Sequence, residues 1–153
     1  MIKDISNNFD KFNIEYEIII VDDNSVDGTV KEISKINNSR IIIHKREGRK
    51  KSLVDSLNEG INISNNENII WMDADFSHPP NYIDKFINLR NVKNIDVIVC
   101  SIFLKESTRY YNIQNKKKAG IDFLSNLLNK ICKIFLFSDF TDYTSGYICI
   151  KKK

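Results

Sequence analysis

The chain has 153 residues, 42% of them hydrophobic and 28% charged, and 23 Lys and Arg against 20 Asp and Glu leave a net charge of +3. That length suits one domain spanning 1–153, and the charge is too mild to imply a nucleic-acid partner, which needs a strongly basic face. The composition excludes a disordered chain, and no apolar run reaches the roughly 18 residues a bilayer-spanning helix requires.

In chain order, Ile5, Phe9 and Phe12 are spaced for a short helix within residues 1–16. Glu17 to Val21 is a β-branched run of the kind found in strands buried on both faces, which favours a parallel sheet. Asp22, Asp23, Asn24 and Ser25 stop it, and Ser25 to Thr29 is turn chemistry leading into a helix near 27–37. Arg40 to His44 predicts a second strand, and Gly48 to Lys51 a basic loop. Leu53, Leu57 and Ile61 recur every fourth residue and predict an amphipathic helix over 51–62. Asn68 to Met72 predicts a third strand, ended by Asp73, Ala74 and Asp75. Pro79 and Pro80 open a helix carrying Ile83, Phe86 and Ile87. Asp96 to Ile102 predicts a fourth strand, residues 104–118 are polar and basic, 119–137 form an apolar helix, and Tyr147 to Ile150 a last strand. This alternation predicts an α/β fold with a mostly parallel sheet flanked by helices. Cys100, Cys132 and Cys149 are scattered among apolar residues and read as small core residues of a reducing compartment.

Two apolar strands thus end in acids about 50 residues apart. In an open parallel sheet the ligand crevice lies beyond the carboxyl ends of the strands, so Asp22, Asp23, Asp73 and Asp75 should share one edge. Crowded carboxylates repel unless neutralised, and hard oxygen ligands suit Mg²⁺ or Mn²⁺ bridging to a phosphate-bearing substrate. Asp73 and Asp75, two residues apart, point to one face if the strand continues.

These residues carry a resemblance. The run Tyr16 to Thr29, with Val21-Asp22-Asp23-Asn24-Ser25 at its centre, resembles the first nucleotide-binding motif of family 2 glycosyltransferases. Trp71 to Pro80, with Asp73-Ala74-Asp75-Phe76-Ser77-His78-Pro79-Pro80, is similar to their metal motif in the form typical of dolichol-phosphate mannose synthases. Asp142 to Tyr147 resembles the later Asp-Pro-Thr-Ser-Gly-Phe segment of that group, and Leu53 to Gly60 the helix between the first two motifs. The resemblance implies a GT-A-like domain using a nucleotide-sugar donor, GDP-mannose, and a polyprenyl or dolichyl phosphate acceptor. Under it Val21 and Asp23 meet the base and ribose side of the donor. Asp73, Ala74 and Asp75 form the diphosphate and metal site, Asp73 and Asp75 being the residues nearest the chemistry, and Ser77 completes the shell of Mg²⁺ or Mn²⁺. A phosphate acceptor is already ionised near neutral pH, so no general base is nominated, and in-line attack inverts the sugar carbon.

The sequence also departs from the family. Members begin with a further strand carrying a Pro-Thr-Tyr-Asn-Glu-like motif, and the residues before Glu17 contain none. Its loss would leave neighbouring strand edges open. The family's phosphate-binding Arg after the fourth strand aligns with Ile102, which has no fork to offer a phosphate. The glycines common in the basic loop are Ser52 and Val54 here. The expectation is therefore a truncated domain, with an inactive remnant or one half of a split enzyme as the alternative and a partner chain supplying the missing strand. Arg109 is a candidate replacement for the absent Arg. Arg46, Arg49, Lys50 and Lys51 read either as a solvated loop or as a phosphate contact. Lys116, Lys117 and Lys118 before the apolar helix fit either solvated lysines or peripheral contact with a membrane. His78 reads as a turn or packing residue, with a metal or substrate role as the alternative, and His44 as structural. A receiver-type signalling domain, using Asp22, Asp23, Asp73, Ser101 and Lys151, and a phosphohydrolase with a nucleophilic Asp73 fit the pattern less well. With no spanning run and no signal-peptide core at the N-terminus, a cytoplasmic or peripheral location is expected.

Overall fold

A computed structural model describes residues 1–93, 95–104, 118–136 and 140–152. Arg109, Lys116 and Lys117 lie outside the described residues. Helix α1 spans Ile2–Lys11, with Asp4 in its first turn and Lys11 in its last, both matched to the helix dipole. Asn13, at φ 52°, ends it in a left-handed turn that Asn tolerates. Strand β1, Ile18–Asp22, pairs in parallel with β2, Ile41–Lys45, in register Ile18 with Ile41 through Asp22 with Lys45. Between them α2 covers only Thr29–Ser34. It starts two residues later than its pattern predicts because Asp27 accepts from the backbone N–H and hydroxyl of Thr29, and Gly28 turns left-handed at φ 88° to start the helix. Helix α3, Leu53–Ile63, begins where Ser52 Oγ accepts from Asp55 N–H at 3.2 Å.

The second half builds a separate three-stranded sheet in the order β3-β5-β4, from β3 (Asn68–Trp71), β4 (Val97–Val99) and β5 (Ile148–Lys151). A 3₁₀ turn at Pro80–Tyr82 leads into α4, Ile83–Lys93, and α5 spans Lys118–Leu136. The α/β architecture holds, but β5 runs antiparallel to both neighbours. The reason lies in the preceding turn. Ser145 Oγ donates to Cys100 O at 2.7 Å, and Cys100 N–H donates to Tyr147 O at 3.0 Å. The chain therefore enters β5 at the end where β4 leaves, and can only run back. Strand β1 is half-buried rather than covered throughout, with only Asp22 fully buried. It packs on the helices, but among the described residues it pairs with β2 alone, as β3 pairs with β5 alone.

Helix α4 organises the core. Its Ile83 and Ile87 meet Ile5 of α1, with Ile18, Ile70 and Met72 packed against them. Its Phe86 meets Tyr147 and Cys149, which also touch Ile70 and Met72. Ile83, Phe86, Tyr147 and Cys149 are almost wholly excluded from solvent. One helix thus packs beneath both sheets, against Ile18 at the start of β1 and against Ile70 and Met72 at the acidic end of β3. The sheets are also tied at their opposite ends by Glu17, whose carboxylate accepts from the backbone N–H of Asn65 at 2.7 Å and of Asn66 at 3.1 Å. Cys149 is buried, Cys100 and Cys132 are partly exposed, and all three are free thiols.

Candidate functional site

The first acidic end is built around a buried cation. Arg46, just past β2, is 3% exposed. Its guanidinium donates to Asp23 Oδ1 at 2.7 Å, Ser56 Oγ at 3.1 Å and Glu59 Oε1 at 3.0 Å. Asp55 lies 3.6 Å from the same group. Asp23 is held on both oxygens, the second accepting from Ser52 N–H at 2.7 Å. A buried Arg is tolerated only when so paired, because leaving it alone would cost several kcal/mol. The basic loop therefore divides: Arg46 is a buried strut, while Arg49 is exposed and pairs with Glu59. His44 bonds Glu59 Oε2 at 2.7 Å. Those contacts, His44 foremost and then Arg46, hold Glu59 down at about 2. Asp22 is buried and also held below its ordinary range, first by the Ser25 hydroxyl and then, against burial, by the Ser25 N–H. Val21 packs toward α3, where a Cβ at Gly60 would stand 3.2 Å from Val21 Cγ2. That close approach is what the glycine permits.

The second end is a turn. Asp73, Ala74, Asp75 and Ser77 are all exposed, with the Asp73 side chain at 56%. Ser77 N–H donates to Asp75 Oδ1 at 2.9 Å, and with the Ser77 hydroxyl it holds the Asp75 carboxyl below its ordinary range. Phe76, between them, sits at φ 63°, an uncommon backbone state for a bulky residue. Asp73 N–H donates to His78 Nδ1 at 3.0 Å, and the His78 ring stacks on Tyr147. His78 has the turn and packing role expected of it, and His44 is likewise structural.

The third piece is the segment after α5. Asp142, 3% exposed, accepts at Oδ1 from the Thr144 N–H and hydroxyl, both at 2.9 Å, and at Oδ2 from Ile102 N–H at 3.3 Å. Asn129 of α5 accepts from Tyr143 N–H at 2.6 Å. These bonds press the 142–147 segment onto the end of β4 and bring Gly146 within reach of Asp73. The Ile102 side chain, where a phosphate-binding Arg was expected, is 44% exposed.

Asp73, Asp75 and Ser77 thus share one turn, and Val21 and Asp23 end β1. Among the described residues no hydrogen bond or ion pair joins the two groups, and no three acidic, His or Cys side chains converge as a ready-made metal cage. Sequence reasoning missed the roles of Arg46 and Asp142. A buried Arg has no signal of its own, although four acids and hydroxyls within its reach could have hinted at one. Asp142, followed two residues on by Thr144, had the Asx-turn signature.

Among known families, the description Glycosyl transferase family 2 matches residues 1–153. A dolichol-phosphate mannosyltransferase of Pyrococcus furiosus is 26% identical over 147 residues, covering 92% of this chain and 39% of the relative. Dolichol-phosphate mannosyltransferases of Mycosarcoma maydis and Saccharomyces cerevisiae are 37% and 36% identical over 75 and 73 residues, or 46% and 45% of this chain and 24% and 26% of theirs. The chain spans about two fifths of the length of the archaeal relative. With a family match along its whole length, the chain belongs to glycosyl transferase family 2.

Proposed function

We propose that this chain carries the donor side of a glycosyltransferase that moves mannose from GDP-mannose to a polyprenyl or dolichyl phosphate with inversion. The observation that carries this reading is the exposed Asp73-x-Asp75 turn at the carboxyl end of β3, in a chain whose relatives are dolichol-phosphate mannosyltransferases. An acceptor phosphate oxygen would attack the sugar carbon as its bond to the donor diphosphate breaks, and GDP leaves. A phosphate needs no deprotonation near neutral pH, so the protein's task is to orient and to manage charge.

The donor set fits Mg²⁺ or Mn²⁺. Asp73 and Asp75 are exposed carboxylates two residues apart, Ser77 adds a hydroxyl, and the set contains only oxygen. So few protein ligands suit a small cation that keeps waters and substrate phosphates. A cation bound there supplies Lewis-acid neutralisation of the departing diphosphate. Ala74 leaves the turn open beside the diphosphate, while Val21 and the Arg46-locked Asp23 face the base and ribose.

On the acceptor side, α5 turns its buried Asn129 toward the 142–147 segment and its apolar residues outward. Leu124, Leu127, Leu128, Ile131, Ile134 and Phe135 are all exposed, with Lys130 beside them. That stripe suits peripheral contact with a lipid surface. No helix among the described residues is long and apolar enough to cross a membrane. The reading also includes a strand from a partner chain against the open edges of β1 and β3.

Calorimetric titration with GDP-mannose, with and without Mn²⁺, tests the donor site. Binding should require Mn²⁺ and weaken at least about tenfold in Asp75→Ala. A folded chain that binds no GDP-mannose under either condition would sink the reading.

A further inference from the structure

One side chain outside the carboxylates ties the Asp73–Pro80 turn to the segment carrying Gly146 and Tyr147. His78 Nδ1 accepts the Asp73 N–H at 3.0 Å. Its ring stacks on Tyr147 with centroids 5.2 Å apart and planes 28° from parallel. Tyr147 is itself immobilised, because its hydroxyl donates to Pro79 O at 3.2 Å and its ring meets Phe86 edge-on at 4.9 Å. The space His78 occupies exists because residue 146 is glycine. A Cβ there would stand 2.9 Å from His78 Cε1 and 3.2 Å from Asp73 Oδ2.

We infer that His78 is a positioning residue. As its Nε2–H tautomer, wedged between Tyr147 and Gly146, it fixes the Asp73 backbone and so sets where the Asp73 and Asp75 carboxylates point.

The tautomer follows from the geometry. A ring nitrogen that accepts a backbone N–H carries no proton, so the neutral ring has its hydrogen on Nε2. Asp73 Oδ2 lies 3.7 Å from the same Nδ1, and with that nitrogen unprotonated the approach is not an ion pair. The anchor is needed because the turn does not hold itself. Phe76 occupies the left-handed region, which L-residues with a Cβ rarely adopt. Ser77 restrains Asp75, and among the described residues His78 is the one side chain that bonds the Asp73 backbone. The segment carrying Gly146 and Tyr147 is fixed by Asp142 and Ser145, so the wedge ties the turn to β4 and β5. What the carboxylates hold rests on the reading proposed above. That His78 aims them does not.

The test compares His78→Asn, whose amide oxygen can replace Nδ1 as acceptor, with His78→Leu, which keeps bulk and loses the acceptor. Two readouts are taken on the full chain: hydrogen exchange of the Asp73 amide, and Mn²⁺ affinity in the presence of GDP. Nitrogen-15 spectra of the wild type should show His78 with Nδ1 unprotonated. Asp73 amide protection should survive in His78→Asn and drop at least tenfold in His78→Leu, with Mn²⁺ affinity following by about tenfold. Gly146→Ala should behave like His78→Leu. The inference is overturned if Nδ1 carries the proton, or if His78→Leu keeps both protection and affinity. It also falls if His78→Asn loses as much as His78→Leu at equal thermal stability. Should the wild type bind no Mn²⁺ and GDP, the donor-site reading fails, and the spectra and amide exchange still decide the role of His78.

Discussion

Glu59 shows how one carboxylate can tie a local network to pH. His44 and Arg46 bond it, Arg49 pairs with it, and it is held at about 2 against an ordinary 4.5. A carboxyl depressed on folding adds stability above its unfolded value and loses that contribution as pH falls toward the folded one. We expect the thermal midpoint to fall between about pH 5 and about pH 2, and to fall less steeply in Glu59→Gln. Midpoints of both proteins across that range check this, and parallel curves would contradict it. The sequence made the acids legible at this scale, because Asp22, Asp23, Asp73 and Asp75 each follow an apolar run. It did not reveal that Asp23 spends both oxygens on Arg46 and Ser52. Such pairings span 23 and 29 positions, and local patterns do not see that far.

At the scale of elements, the amphipathic periodicity of α3 and the β-branched runs of β1 and β2 gave the right structures within a residue or two, since both signals are local. The start of α2 was displaced because capping at Asp27 and Gly28 overrode the pattern. There Gly28 stands left-handed with open space around its missing Cβ, so Gly28→Ala should cost about 1 kcal/mol through backbone strain alone. Gly28→Asn should cost less, and denaturant unfolding of the two variants distinguishes them. Helix α5 was legible as a helix but not in its orientation, because burial depends on which neighbours a face meets. Its exposed stripe leads to a second expectation. Ile131→Asp should change the unfolding free energy by no more than about 0.5 kcal/mol, as surface changes do. It should still reduce co-flotation with vesicles containing anionic lipid. Loss of folding in this variant would show the face to be internal.

For the whole molecule, α4 is the common support, with Ile83 and Ile87 on one side and Phe86 on the other. Phe86→Ala should cost about 3–5 kcal/mol, and denaturant unfolding would read that as a lower midpoint. The loss falls on the Tyr147 packing beneath the acidic turn, so Mn²⁺ affinity should weaken along with stability. The α/β class was legible from alternation alone. The reversal of β5 was not, because it is decided by where residues 142–147 dock and not by any pattern within β5.

That reversal has a consequence for how the protein is made. β5 lies between β3 and β4 yet is the last of the three to leave the ribosome. Its final residue, Lys151, is synthesised 80 positions after Trp71 ends β3 (151 − 71 = 80). At about 5–20 residues per second, the edge of β3 that later receives β5 waits about 4–16 s during translation before its partner exists. The nascent chain therefore passes through a stage in which β3 and β4 have been synthesised without the strand that joins them.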